Sequence, residues 1–121
     1  DRYPHLQFFL CADIIKQTFK EKYDLVTLIE TLEHVEHPHR LIREAISFGK
    51  RYMLLSVPDE PLFRFLNFCA GKYMADLGNS PGHIQHWNKN TFSELVGRSL
   101  DIIHLEKSLP WLILLAEIRK F

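Results

Sequence analysis

The stretch from Tyr23 to His39, YDLVTLIETLEHVEHPH, most constrains what this chain can fold into. Residues 25–29 form a short apolar run, partly β-branched, which reads as one strand buried on both faces. The run stops at Glu30, and Glu33, His34, Glu36, His37 and His39 follow closely. An open α/β sheet presents its chemistry at the carboxyl ends of its strands. A strand that ends in acids and histidines therefore marks one edge of a sheet as the place to look for a site.

The other elements can be placed around that edge. Residues 5–12 read as a strand ending before Asp13. Pro38 suits a first helical position, and Leu41, Ile42, Ala45 and Ile46 share one face of the helix that follows, with Gly49 at its end. Lys50 and Arg51 read as solvent-side punctuation before a strand over residues 52–57, halted by Pro58. A crowded apolar segment, residues 62–68, reads as a helix starting near Pro61, with Phe63, Phe65 and Phe68 mostly in the core. Residues 71–88 read as a long loop, of the kind that is usually functional or mobile. Asn88 is a plausible N-cap for a helix through Phe92, Leu95 and Val96. Residues 100–105 and Trp111–Ile118 then read as an antiparallel pair turned at Ser108-Leu109-Pro110. The fold class is α/β, with a mostly parallel sheet and an antiparallel carboxyl-terminal edge hairpin.

Composition narrows the function classes. The chain has 121 residues, is 46% hydrophobic and 25% charged, and has a formal net charge of zero. That supports a core and one domain spanning residues 1–121. It provides no overall attraction for nucleic acid or anionic lipid. No apolar run approaches the roughly 20 residues of a membrane span; the longest, residues 109–118, is broken by Pro110. Cys11 and Cys69 have no metal or redox spacing, so buried free thiols and a cytoplasmic location are expected.

Four segments carry a resemblance: Ala12-Asp13-Ile14, then YDLVTLIETLEHVEHPHRLIREA, then SVPDEP, then GKY followed by LGNSPGHIQHWNKNTFSEL. Together they resemble the later part of class I S-adenosylmethionine-dependent methyltransferases, nearest to the type 11/12 small-molecule set that includes ubiquinone-pathway O-methyltransferases. The resemblance implies a Rossmann-like sheet of order 3-2-1-4-5-7-6, of which this chain supplies strands three to seven. It also exposes a departure. The glycine-rich turn after strand one and the acid after strand two have no counterpart, and the five glycines form no G-x-G. Two strands and two helices, roughly 50–70 residues at βαβ size, are expected elsewhere. The expectation is therefore a partial methyltransferase domain with an incomplete cofactor site.

The resemblance assigns roles by position. Asp13, flanked by Ala12 and Ile14, would meet the adenine of S-adenosylmethionine. Ile29, Glu30 and Leu32 would lie beside the methionine part or the methyl acceptor, and a carboxylate suits a sulfonium cation. A hydroxyl acceptor also needs a base, and histidine is suited to that task. His34 is the leading candidate, with Glu33 as its orienter or as an alternative base; His83 and His86 in GHIQHW lie where the family closes over the acceptor. Glu30-x-x-Glu33-His34 with a distant His83 also resembles the magnesium- or manganese-binding set of small-RNA terminal 2′-O-methyltransferases. The same acids and histidine occur in metal-free relatives and the chain has no basic RNA-binding character, so no metal is expected.

Three functions follow in order. The first is methyl transfer from S-adenosylmethionine to a small-molecule or lipid-like acceptor, at oxygen, with no nucleic acid partner and a possible homodimer. The second is an inactive methyltransferase-like module that dimerises or binds a partner. The third is a metal-dependent RNA 2′-O-methyltransferase.

Overall fold

The computed structural model describes residues 22–72, 75, 82 and 84–119. The strand expected at residues 5–12 lies outside them, as does Cys11. The described chain runs β1 (Tyr23–Ile29), α1 (Pro38–Phe48), β2 (Gly49–Pro58), α2 (Glu60–Cys69), α3 (Lys89–Gly97), β3 (Leu100–Ser108) and β4 (Trp111–Ile118), with a 3-10 turn at Leu32–His34 between β1 and α1.

Local chemistry explains most of these boundaries. Pro38 opens α1, where a missing N–H costs nothing, and Leu41, Ile42 and Ala45 turn into the core at helical spacing. Gly49 ends α1 and starts β2, and a Cβ there would collide with the Cδ1 of Ile118. Asn88 caps α3 by accepting from the backbone N–H groups of Asn90 and Thr91, while Thr91 Oγ1 accepts from the Asn88 N–H at 3.1 Å. This reciprocal capping box satisfies donors that the first helical turn would otherwise leave bare.

The four described strands form one sheet in the order β1-β2-β4-β3. β1 and β2 are parallel, with Leu25 opposite Tyr52 and Ile29 opposite Ser56. β4 enters antiparallel to β2, with Met53 opposite Ala116 and Val57 opposite Leu112. β3 closes the far side as a hairpin with β4. This is the 4-5-7-6 half of the sheet order expected from the resemblance, and it puts Glu30 and Asp59 at the same carboxyl edge.

The core lies on one side of the sheet. Leu28 from β1, Met53, Leu55 and Val57 from β2, and Leu112, Leu114 and Ala116 from β4 pack beneath α1 and α3, with Phe92 and Val96 fully buried between them. The opposite side carries Leu25, Ile29, Leu54, Trp111 and Ile113, and no described helix covers it.

Four sequence expectations need correction. β1 is not buried on both faces: Leu25 and Ile29 are each 48% exposed. Among the described residues β1 pairs with β2 alone, so the apolar run reports what the strand is made for and not how many neighbours it has here. Phe65, Leu66 and Phe68 of α2 are exposed rather than core; Cys69 at the helix end, expected as a buried thiol, is an exposed free thiol. Finally, β2 begins at Gly49 rather than Tyr52, so Lys50 and Arg51 belong to the strand; both face solvent as expected, and Arg51 reaches across to Glu117 at 3.3 Å.

Candidate functional site

Glu30 is the first residue past β1, and its backbone is unusual. Its φ of 51° puts a non-glycine residue in the left-handed region, a conformation that persists only when its surroundings hold it. Ser56 on the neighbouring strand does so. The Glu30 N–H donates to the Ser56 carbonyl at 3.2 Å, and Ser56 Oγ donates to Glu30 Oε1 at 3.0 Å. The Glu30 carboxylate is therefore aimed by β2 rather than by its own strand. Beside it, Ile29, Leu54, Ser56, Trp111 and Ile113 complete a cleft of about 410 Å³ on the uncovered side of the sheet.

The chain then turns sharply. Thr31 Oγ1 donates to the Ile29 carbonyl at 2.9 Å, and Leu32 and Glu33 both turn fully inward. Leu32 is a core residue, so only its backbone can approach a ligand. Glu33 is buried with neither carboxylate oxygen accepting a hydrogen bond from the described residues, while its carbonyl accepts the N–H groups of Ile84 and Gln85. A fully buried carboxylate left in this state is costly, and such groups mark places where a ligand, ion or proton completes the arrangement.

His34 is half-exposed, and its Nδ1 lies 2.9 Å from the Gly82 carbonyl oxygen. A carbonyl can only accept, so Nδ1 is the donor and the neutral ring carries its lone pair on Nε2. That nitrogen lies 3.9 Å from Glu33 Oε1. Gly82 has φ +86°, so the backbone that orients the ring depends on glycine's freedom at that position.

Residues 84–88 then run as a strap along this edge. Gln85 Nε2 donates to the Glu36 carbonyl, and the Glu60 N–H donates to the Trp87 carbonyl at 2.9 Å. Trp87 anchors the strap by burying its ring beside Phe92, 6.4 Å between centroids. This brings His86 to Glu60: His86 Nδ1 lies 3.6 Å from Glu60 Oε2. A second cleft, about 350 Å³, is lined there by Glu60, Arg64, His86, Trp87 and Asn88.

The structure thus gathers Ile29, Glu30, Glu33, His34 and His86 along one edge. Ala12, Asp13, Ile14 and His83 lie outside the described residues. Among the described residues no group of three or more His, Cys, Asp and Glu side chains is arranged to share a metal ion, and no helix is long and apolar enough to cross a membrane. Sequence reasoning did not single out Ser56 or Glu60. Their signal was the polar ending of β2, Ser-Val-Pro-Asp-Glu-Pro, at the same edge as Glu30.

S-adenosylmethionine can be tested against this edge. The larger cleft offers apolar walls and one carboxylate, which suit the aliphatic and cationic parts of that molecule. Its volume is at the lower end for a ligand pocket, about 300–1,000 Å³. The described residues therefore fit part of the cofactor.

Comparison with known proteins gives the same architecture. Residues 7–99 match the methyltransferase domain family. No curated protein sequence matches the chain. Among solved structures, magnesium protoporphyrin IX methyltransferase from Synechocystis PCC 6803, with bound S-adenosylhomocysteine, is 20% identical at a TM-score of 0.63, over 92% of this chain and 51% of that one. An S-adenosylmethionine-dependent methyltransferase from Clostridium acetobutylicum is 9% identical at a TM-score of 0.66, over 92% of this chain and 64% of that one. The small RNA methyltransferase HEN1 is 16% identical at a TM-score of 0.62, over 91% of this chain and 16% of that one. This chain thus spans about half the length of the first of these proteins and under two thirds of the second. It belongs to the methyltransferase domain family and has the fold of the class I S-adenosylmethionine-dependent methyltransferases.

Proposed function

We propose that this chain carries the acceptor side, and part of the cofactor side, of a methyl-transfer site that uses S-adenosylmethionine and acts on the oxygen of a small-molecule or lipid-like acceptor. The observation that supports this reading most directly is the clamped turn at Glu30. A strained residue fixed by two contacts to Ser56, beside an open cleft at the carboxyl edge of a parallel strand pair, is the arrangement expected of a ligand contact. When bound, S-adenosylmethionine supplies a methyl group on a positively charged sulfur. The protein's part is to position the acceptor and take its proton.

In this reading Glu30 faces the cationic end of the cofactor, and Ser56 holds it there. His34 presents Nε2 as a proton acceptor, because Gly82 already occupies its Nδ1 proton. Glu33 Oε1 lies 3.9 Å from Nε2, beside the place where the proton arrives.

Calorimetric titration of the chain with S-adenosylhomocysteine tests the reading. Saturable binding that weakens at least tenfold in Glu30→Ala supports it. A folded chain that shows no heat of binding would overturn it for this polypeptide. A second reading, a methyltransferase-like module that docks on a partner or on itself, is favoured by the uncovered sheet face and by exposed Phe65, Leu66 and Phe68. Sedimentation analysis separates the two: a monomer across the micromolar range counts against self-docking.

A further inference from the structure

α2 presents its apolar residues to solvent and turns its polar ones inward. At about 3.6 residues per turn, Leu62, Phe65, Leu66, Phe68 and Cys69 share one side of the helix, and Glu60, Arg64 and Asn67 share the other. Phe65 is 62% exposed and Phe68 43%, and Leu66 and Cys69 are exposed beside them. Glu60, Arg64 and Asn67 are less accessible, and Glu60 is buried where its N–H meets the Trp87 carbonyl. A helix that packs on a sheet carries the reverse pattern, as α1 does with Leu41, Ile42 and Ala45 buried. The end of α2 is fixed. Gly71, at φ +72°, lets its own N–H donate to the Phe68 carbonyl and the Lys72 N–H donate to the Asn67 carbonyl.

The charge around this exposed side has one sign. From residue 61 to residue 75 the sequence has Arg64 and Lys72 and no acid. Arg64 lines the cleft on one flank of α2, and Lys89 and Lys107 line the cleft that Leu62 shares on the other. Arg64, Lys72 and Lys89 make no ion pair with any described residue, while Lys107 is paired with Asp59. The neighbouring acids, Asp59 and Glu60, are buried. A lone surface cation is ordinary, and Lys72 also complements the carboxyl end of the helix. Three cations without acids beside an exposed aromatic side are less so.

We propose that α2 docks this chain reversibly on an anionic lipid surface, with Phe65, Leu66 and Phe68 entering the bilayer interface and Arg64, Lys72 and Lys89 meeting the headgroups. Two observations favour a bilayer over a second protein. Phe65 and Phe68 together expose roughly 200 Å², against about 800 Å² per partner in a specific protein interface. A bilayer needs no matched surface, and an aromatic side flanked by cations is the composition of a helix that lies among headgroups. The formal net charge of the chain is zero, so the attraction is local to this helix and is screened by salt. A ten-residue helix in the interface spans nothing, and no described helix is long and apolar enough to do so. The proposal does not rest on the methyl-transfer reading.

Flotation of the whole chain with vesicles tests it. One set is phosphatidylcholine alone; the other is equimolar phosphatidylcholine and phosphatidylglycerol. The chain is expected to float with the mixed vesicles, far less with the neutral ones, and less with either as salt rises. Phe65→Ser should weaken binding to the mixed vesicles at least about tenfold. Lys72→Gln combined with Lys89→Gln should weaken it about 30-fold, at about fivefold per cation near the surface, and leave neutral vesicles unaffected. Leu25→Ser, on the uncovered face of the sheet, should change nothing. All four side chains are exposed, so the fold does not depend on them. No binding to the mixed vesicles, equal binding to both compositions, or an equal loss in Leu25→Ser overturns the proposal. A dimer that forms without lipid and is abolished by Phe65→Ser also overturns it, because a second copy then covers α2.

Discussion

The two faces of the sheet are made from the same strands and have opposite fates. On β4, Leu112, Leu114 and Ala116 are completely buried under α1 and α3, while Trp111, Ile113 and Leu115 alternate with them and remain partly exposed. Both sets are apolar. A half-buried antiparallel strand normally alternates apolar with polar residues, so apolar residues on both sides are those of a strand built to be covered twice. The described residues cover it once. The difference teaches that the residue types on a strand record the architecture it is suited to, whereas its burial records the neighbours it has.

The sharpest way to break this comparison is a matched pair of truncations on β4. Leu114→Ala should cost about 2–5 kcal/mol, as a buried leucine does when a cavity replaces it. Ile113→Ala, one residue along and only partly buried, should cost distinctly less, about 1 kcal/mol. Urea midpoints at constant slope provide both numbers. Equal losses would show that the second face is covered in solution, and the contrast between the faces would fall.

A smaller effect contrasts two helix starts above the packed face. Asn88→Ala should cost about 1 kcal/mol, because it strips the α3 capping box. His37→Ala should cost almost nothing, because the α1 cap has no side-chain hydrogen bond to lose. Thermal unfolding of the two variants measures the gap; a costly His37→Ala would mean that α1 depends on a contact other than its cap. The smallest effect belongs to the outer surface of α3. Arg98→Ala removes a 2.7 Å pair with Glu94 in which both side chains are about two-thirds exposed. The loss should be about 0.3–0.5 kcal/mol and should vanish in high salt.

Much of the fold was legible in the residues because it depends on local rules. Pro38, Gly49, Asn88 and Pro110 punctuate the chain where helix and strand geometry demands, and β4 begins and ends where its apolar run does. The exposure of Leu25, Ile29, Phe65 and Phe68 was not legible, because the type of a residue does not encode which surfaces are packed against it. At the site, the acids and histidines after β1 stand out as sequence. The clamp from Ser56 does not, since parallel register brings it to Glu30 and no spacing rule connects the two. The same holds for Glu60 and His86, which meet only because Trp87 is pinned in the core and its carbonyl takes the Glu60 N–H.

The strand order has a further consequence, in time rather than in space. β1 and β2 are joined through one helix and β3 and β4 through a tight turn, so each half of the sheet can assemble from nearby chain. The seam between the halves joins β2 to β4, with Tyr52 opposite Glu117 and Pro58 opposite Trp111. Closing that span is entropically the most demanding step, and a two-stranded half is marginal by itself. The hairpin of β3 and β4 should therefore form and dissolve many times, on the scale of about 1–10 μs, before the seam closes. Closure of the seam then commits the described sheet at once, so its two middle strands act as a latch, and amides of Met53, Leu55 and Leu114 should exchange with solvent only when that sheet opens.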